Sequence, residues 1–590
     1  MGLAFLLGSN VASADDLTPV NRRVADLLKR MTLDEKIGQM VQADLAALKD
    51  RRDVEKYCLG SVLSGGGSDP TNNSPGAWLG VVTEVEAYAL QTRLKIPLLY
   101  GVDAVHGHNN VLGAVIFPHE IGLGATGNPD LVKAAEEVTA QEVAGTGIRW
   151  AFSPCIAVSQ DVRWGRCYES FGQSPALVSK LGAAAVEGFQ GESLNPNSVL
   201  ACAKHFAGDG GTVNGKDEGD TVCDEATFRR LYLPPYAAAI KAGVGSIMVS
   251  FSSWNGQKMH GNKYLLTDVL KKEMGFEGFL VSDWAAIDQL SPDYKKGIET
   301  SINAGLDMAM IPAGPGEHNN YIDFIKDLKA LVAEGKVPMD RIDDAVRRIL
   351  RVKVQMGLFQ NPYTDPSLTA KIGSAEHRQV ARDCVRQSLV LLKNSHQALP
   401  LAKNLKRLLV MGKAADDLGM QCGGWTIDWQ GKTGQVTTGG TTLLAAIKAT
   451  VSPGTEVVYS PDGTDLKNAD ACIVVVGELP YAEFKGDRTN LDLSMADKAL
   501  IEKATHCGGP VITVLYSGRP MVLGSALKHS TAFVAAWLPG TEGLGLTDVL
   551  FGDFKPTGKL PRLWPRNNQQ LSVLHPSGKP LFPVGFGLTY

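Results

Sequence analysis

Several short stretches of this chain carry side chains that could do chemistry together. The apolar run Gly278-Phe279-Leu280-Val281 stops at Ser282-Asp283-Trp284. Asp283 is either a helix cap, accepting from the free amides of a first turn, or a nucleophile held where a rigid strand ends. "CAKHFAGDGG" (202–211) sets Lys204 beside His205. Neighbours on a strand point to opposite faces, so one of the two lies in an irregular turn or faces a loop. "GVDAVHG" offers Asp103 and His106, and "DVRWGRCYES" offers Arg163 and Arg166, with Asp161 and Glu169 as nearby partners. Farther along, "VVGELPYAEFKGDRTNLDL" (475–493) brings Glu478, Glu483 and Asp487 after another apolar run, and "QCGGWTIDWQGKTG" (421–434) places Trp425 and Trp429 among glycines. Two carboxyls in one pocket push their titrations apart, so that one stays protonated near neutrality. With indoles for the C–H faces of a sugar and Asp, Arg, Lys and His for its hydroxyls, this set fits glycoside hydrolysis. It also suits carbohydrate binding without chemistry.

The elements that must position these residues are legible as a pattern. Apolar runs ending in polar or glycine-rich turns recur at 60–67, 96–107, 150–158, 202–211, 245–256, 278–284 and 304–310, with helical segments between. Continuous apolar strands alternating with helices predict a parallel sheet covered on both sides. Seven or eight such units in roughly 300 residues favour a closed (β/α)₈ barrel over an open sheet. The polar residues follow the apolar ones, which places His106, His205 and Asp283 on one rim. Ile342, Ala345, Ile349 and Val352 have helical spacing in a closing amphipathic helix over 339–359, and Pro362 and Pro366 end it. Residues 374–394 are expected to be helical and then extended. Apolar runs at 406–418, 471–478, 509–518 and 531–540 then predict a smaller α/β sandwich. The expected division is a signal-like segment at 1–16, a barrel at 17–360, a linker at 361–376 and the sandwich at 377–590. No GxGxxG or GxxxxGK[ST] occurs in the strand-to-helix context a nucleotide site needs.

Size and composition narrow the class. At 590 residues the chain must divide into domains. A net charge of −4 gives no basis for nucleic-acid binding, and no run reaches the roughly eighteen apolar residues of a membrane span. The opening "MGLAFLLGSNVASADD", with an apolar stretch before Ala12-Ser13-Ala14, reads as a secretory signal or its stub and predicts a periplasmic or secreted protein. Nine cysteines, odd in number and without a CxxC, leave at least one thiol free or paired between chains and form no convincing metal cluster.

These motifs together resemble glycoside hydrolase family 3, in its β-D-glucan exohydrolase and β-glucosidase branch. The resemblance rests on "GVDAVHGHNN", "DVRWGRCYESFGQ", "AKHFAGDGG", "SSWNG", "GFLVSDW", "QCGGWTIDWQG", "GELPYAEFKGD" and "FPVGFGLTY", in that order. It implies a (β/α)₈ barrel followed by an α/β sandwich, with the pocket between them. It also implies a retaining, exo-acting hydrolase that releases glucose from non-reducing ends and needs no cofactor or metal. Its substrates would be β-linked gluco-oligosaccharides or glucosides, and the protein a monomer or homodimer. By the same resemblance Asp283 is the nucleophile and Glu483, not Glu478, the acid/base. Asp103, Arg166, Lys204 and His205 grip the terminal glucose, Trp284 and Trp429 clamp the next sugar, and Glu218 is an outer-pocket carboxylate. A retaining mechanism requires the two carboxyls about 5–5.5 Å apart. Three departures stand out. Phe251 replaces a tyrosine of the plant members, so the orientation of Asp283 must come from elsewhere. Gln289 replaces an outer-subsite arginine and predicts looser linkage discrimination. Ser159 replaces a cysteine that bridges to the position of Cys167, leaving Cys167 free or otherwise paired. The alternatives are an N-acetylglucosaminidase of the same family, against which the "AEFKGD" loop argues, and a binding protein on the same scaffold.

Overall fold

The computed structural model describes residues 18–65, 67–466, 468–574 and 577–590. The signal-like segment predicted at 1–16 lies outside them. Eight parallel strands form the first unit: β1 (Val41–Asp44), β2 (Ser61–Ser64), β3 (Leu99–Val102), β4 (Trp150–Ala151), β5 (Cys202–Phe206), β6 (Ser246–Val249), β7 (Phe279–Val281) and β8 (Ala309–Ile311). Ladders run β8-β1-β2-β3-β4 and β7-β6-β5. Parallel bridges Trp150↔Leu200 and Cys155↔Lys204 join β4 to β5, and Val281↔Met308 joins β7 to β8, so the barrel closes. Seven of these strands fall in the apolar runs picked out above. The eighth, β1, escapes that reading because "VQAD" carries two polar residues, yet all four are buried. Inside the barrel the side-chain amide of Gln42 donates to Ser61 Oγ at 2.8 Å, while its Oε1 is buried without a partner.

Local chemistry starts the helices where the barrel needs them. Ser74-Pro75, Asn128-Pro129 and Ser174-Pro175 each place a capping oxygen before a proline that lacks the amide a first turn would leave unpaired. The closing helix runs Met339–Gln355 and buries Ile342, Ala345, Ile349 and Val352 as their spacing predicts. From it Lys353, wholly buried, donates to Gln39 Oε1, Gly60 O and Pro97 O, each at 2.8 Å. One ammonium thus ties this helix to the residues that lead into β1, β2 and β3.

The second unit is a six-stranded sheet. Its strands are β9 (Val390–Asn394), β10 (Arg407–Met411), β11 (Glu456–Tyr459), β12 (Ala471–Gly477), β13 (Val511–Tyr516) and β14 (Ala532–Trp537). The spatial order is β9-β14-β13-β12-β10-β11, parallel except for β9 against β14. Both faces are covered. Along β12, Cys472, Val474 and Val476 face one core, while Ala471, Ile473 and Val475 face another with helices Ala375–Ser388, Leu443–Thr450 and Gly543–Leu550. Burial on both sides explains why these strands are unbroken apolar runs. β11 does not stand out in the sequence because it is an edge strand, half exposed and opening on Glu456. The first of these cores also takes in Val105, Ile121, Ala125 and Tyr168 from the barrel, so the two units share hydrophobic packing. The fold is a (β/α)₈ barrel followed by an α/β sandwich.

Candidate active site

A cavity of about 290 Å³ opens at the C-terminal ends of the barrel strands, under the sandwich. Its inner end is polar. Asp103 follows β3, Lys204 and His205 belong to β5, Asp283 follows β7, and Arg166 comes from the turn Gly165–Glu169. Lys204 and His205 both line it. The register of β5 against β6 shifts between Ala203 and Phe206, and this irregular backbone is how two neighbours come to share one face. Gly65 lines the floor, where a Cβ would lie 2.7 Å from Asp103 Oδ2.

Asp283, 14% exposed at its side chain, accepts from the backbone amide of Trp284 through Oδ1 at 2.8 Å. Its own amide donates to His260 Nε2 at 3.1 Å. Its orientation therefore comes from the backbone of the turn, which answers the missing hydroxyl at Phe251. That residue lines the pocket and contributes only its ring. Burial pushes Asp283 up to about 6, against the pull of Arg166 and Lys204. His205 Nε2 is 3.7 Å from Asp283 Oδ2, and its Nδ1 meets Asp209 Oδ2 at 3.0 Å. Because Arg166 Nη2, 3.2 Å from His205 Nε2, can only donate, Nε2 accepts and Nδ1 carries the proton toward Asp209. Burial, then Arg166 and Lys204, hold His205 well below its ordinary value and so neutral. Lys204 Nζ donates to Asp103 Oδ1 at 3.0 Å.

Glu483 enters from the sandwich on the turn Glu483–Gly486, in left-handed backbone at φ +53°. Arg166 binds Glu169 through Nε and Nη2 and reaches Glu483 Oε1 through Nη1 at 3.1 Å. Burial raises Glu483 to about 8; Arg166 opposes that shift, and the carboxyls of Asp217 and Asp283 add to it. Glu478 is elsewhere. Buried, it accepts from Tyr481 Oη at 2.9 Å and pairs with Arg519 at 3.3 Å, and it does not line the cavity. Asp487 caps amides, accepting from Gly165 and Asp217 at 2.8 Å each.

The rest of the lining is largely aromatic and apolar, with Trp284, Trp429, Phe484, Phe251, Met248 and Met310 beside Glu218, and of these Trp284 and Phe484 are exposed. Gln289 does not line the pocket; its side-chain amide donates to Glu218 at 3.0 Å. His106 and Arg163, though predicted on the rim, do not line the pocket. His106 is buried and stacked on His119 at 3.6 Å, and Arg163 is paired with Asp161. Glu169, Asp209, Trp425 and Phe484 complete the site. Trp425 lines the cavity and donates from Nε1 to Glu169 at 3.2 Å. Arg166 and Glu169 lie three residues apart in one turn, a spacing that could have flagged the pair.

All nine cysteines are free thiols. Cys167 lies 2.9 Å from Ser159 Oγ, and the buried Arg562 donates to both. Among the described residues, Cys155, His205 and Asp209 bring three potential metal-ligand atoms within 4.8 Å, but His205 and Asp209 already satisfy each other.

A closed barrel rim capped by a sandwich, with two shifted carboxyls over a polar recess, is the build of a glycoside hydrolase. The comparisons agree with that class. Residues 32–352 match the glycosyl hydrolase family 3 N terminal domain and residues 389–590 its C-terminal domain. A lysosomal beta glucosidase of Dictyostelium discoideum is 34% identical over 627 residues, 96% of this chain and 76% of that one. A periplasmic beta-glucosidase of Salmonella typhimurium is 32% identical over 665 residues, 99% and 82% respectively. The crystal structure of an exo-1,3/1,4-beta-glucanase from a Pseudoalteromonas species superposes with a TM-score of 0.93 at 40% identity, covering 97% of this chain and 74% of that one. The chain belongs to glycoside hydrolase family 3.

Proposed function

We propose that this protein is a retaining, exo-acting β-glucosidase or glucan glucohydrolase, with Asp283 as nucleophile and Glu483 as acid/base. One observation carries the reading. Two carboxyls supplied by different domains share one recess whose closed end holds Asp103, Lys204, His205 and Arg166, and their titrations are split to about 6 and about 8. Between those values Asp283 is ionised and Glu483 protonated, the pair of states the first step needs. The Asp283 carboxylate attacks the anomeric carbon while the glycosidic C–O bond breaks, and Glu483 gives its proton to the leaving oxygen. In the second step water attacks the same carbon, Glu483 takes its proton, and Asp283 is released. A recess closed around one sugar favours removal of terminal units. The outer aromatic walls, which grip ring faces more than hydroxyls, favour acceptance of both β-1,3 and β-1,4 linkages. The laminaribiose complex of a Listeria innocua beta-glucosidase mutant, 30% identical, supports that substrate class. A periplasmic or secreted location, and a barrel over 17–360 joined by 361–376 to a sandwich over 377–590, belong to the same proposal.

The test is Asp283→Ala together with a 2-fluoro glucosyl trap. Turnover of an aryl β-glucoside is expected to fall by at least about 10⁴-fold, as when an acting nucleophile is removed, with the label found on Asp283. Near-normal kcat in the variant, or label on another residue, would remove the assignment.

A further inference from the structure

Two cysteines meet in the sandwich core, away from the catalytic pocket. Cys472 lies on β12 and Cys507 ends the turn Thr505–Cys507 that follows the helix Met495–Ala504, and both are buried in one cluster with Ile501 and Ala504. The backbone sets them side by side. Ala469 N donates to Cys507 O at 3.0 Å and Cys472 N donates to Pro510 O at 2.9 Å, so the chain entering β12 and the chain entering β13 are joined across both cysteines. The parallel register then continues with Cys472 opposite Val511. The two thiols share a hydrogen bond, which holds Cys507 down to about 7 and pushes Cys472 up.

Sulfurs held against each other by paired backbone need little movement to reach bonding geometry, so little strain opposes a bridge. Cys507 is the member nearer to solvent. Thr505, His506 and Gly508 around it are exposed, and Gly508 turns the chain in left-handed backbone at φ +97°. Near neutrality part of the Cys507 population is thiolate, the form that attacks a disulfide.

We propose that Cys472 and Cys507 are a disulfide-forming pair, a covalent clip on the segment that carries Glu483. The Cys507 thiolate attacks a small disulfide RS–SR, forming a mixed disulfide and expelling the first RS⁻. The Cys472 sulfur then attacks the Cys507 sulfur, the second RS⁻ leaves, and it takes up the Cys472 proton. Two protein thiols are thereby oxidised to one disulfide while one small disulfide is reduced to two thiols. An oxidising compartment supplies such a disulfide. The ring that closes spans residues 473–506 and holds most of β12, the Glu483–Gly486 turn and the helix Met495–Ala504. A ring of this length restricts the unfolded chain and so favours the folded one. The proposal is independent of which reaction the pocket performs.

The experiment incubates the full-length protein with 2-hydroxyethyl disulfide or with dithiothreitol, alkylates each sample in denaturant and maps the peptides by mass spectrometry. After the oxidant, the peptides bearing Cys472 and Cys507 should be joined to each other and escape alkylation; after dithiothreitol they should be separate and alkylated. The oxidised protein should melt about 5 °C higher than the reduced one. In Cys507→Ser and in Cys472→Ala that difference should vanish, and if one variant does not fold the other carries the comparison. Separate, alkylated Cys472 and Cys507 after the oxidant, a link from either to a different cysteine, or equal melting temperatures for the bridged and reduced forms overturns the proposal.

Discussion

Burial is the first cause of the raised pKa at both Asp283 and Glu483, and Arg166 restrains both. The guanidinium is 7% exposed at its side chain, divided among Glu169, Glu483 and His205, and so acts on both carboxyls from a desolvated position. If Asp283 must be ionised and Glu483 protonated, kcat/KM should rise with pH through about 6 and fall through about 8, the two limbs belonging to the coupled pair. Removing the cation takes away the charge that lowers each value. Arg166→Met should therefore move both limbs to higher pH as well as weaken turnover. A pH profile of that variant on an aryl β-glucoside checks this, and unmoved limbs would count against the electrostatic role.

At the scale of elements, the turn Glu483–Gly486 is aimed by its fit against the barrel loop at Gly165. The Gly165 amide donates to Asp487 Oδ1 at 2.8 Å, and Arg519 Nη2 donates to the carbonyl of Gly486 at 2.6 Å. Between these anchors there is no space for a methyl group at Gly165, whose added Cβ would meet Glu483 O at 2.1 Å. Gly165→Ala must displace the turn, and a shift of about 1 Å in a catalytic group costs on the order of 10²-fold. We expect kcat/KM to fall to that extent while glucose binding, which the proposed function assigns to barrel residues, changes little. Equilibrium binding of glucose measured beside kcat/KM separates the two effects.

Across the whole molecule, the site exists only because two domains are locked together. Arg519 of the sandwich is fully buried, donates to the carbonyls of Val162 and Arg163 in the barrel, and is paired with Glu478. Tyr168 of the barrel donates from its hydroxyl to Tyr481 O at 2.7 Å. Glu478 is thus an anchor of the interface, and its loss should read out as stability. Glu478→Ala leaves a buried guanidinium without its carboxylate, at a cost of about 3–5 kcal/mol, and should lower the melting temperature without rescue by azide. Glu483→Ala should keep its melting temperature, lose most activity on poor leaving groups, and recover turnover of a good one with azide. Thermal melts and azide titrations of both variants test this; azide rescue of Glu478→Ala would exchange the roles.

Much was determined by the chain order alone. Strands buried on both faces must be apolar throughout, so seven barrel strands and most of the sandwich could be read as runs, and polar residues following them had to share one rim. Motif order then pointed to Asp283, to Glu483 and to the residues around them. The strands that escaped, β1 and β11, carry polar side chains that find partners across the barrel, as Gln42 Nε2 and Asp44 do, or that face solvent, as Glu456 does, a fact local composition does not carry. Separating Glu483 from Glu478 on chemical grounds was likewise beyond the sequence. Both glutamates follow β12 within six residues, and only packing turns one toward Arg519 and the other toward Arg166. The lining of the pocket by both Lys204 and His205, the backbone hold on Asp283 and the exposure of Phe484 were also decided by tertiary structure. Each depends on contacts between segments far apart in the chain, and the burial that shifts the carboxyls appears only when those segments close on one another.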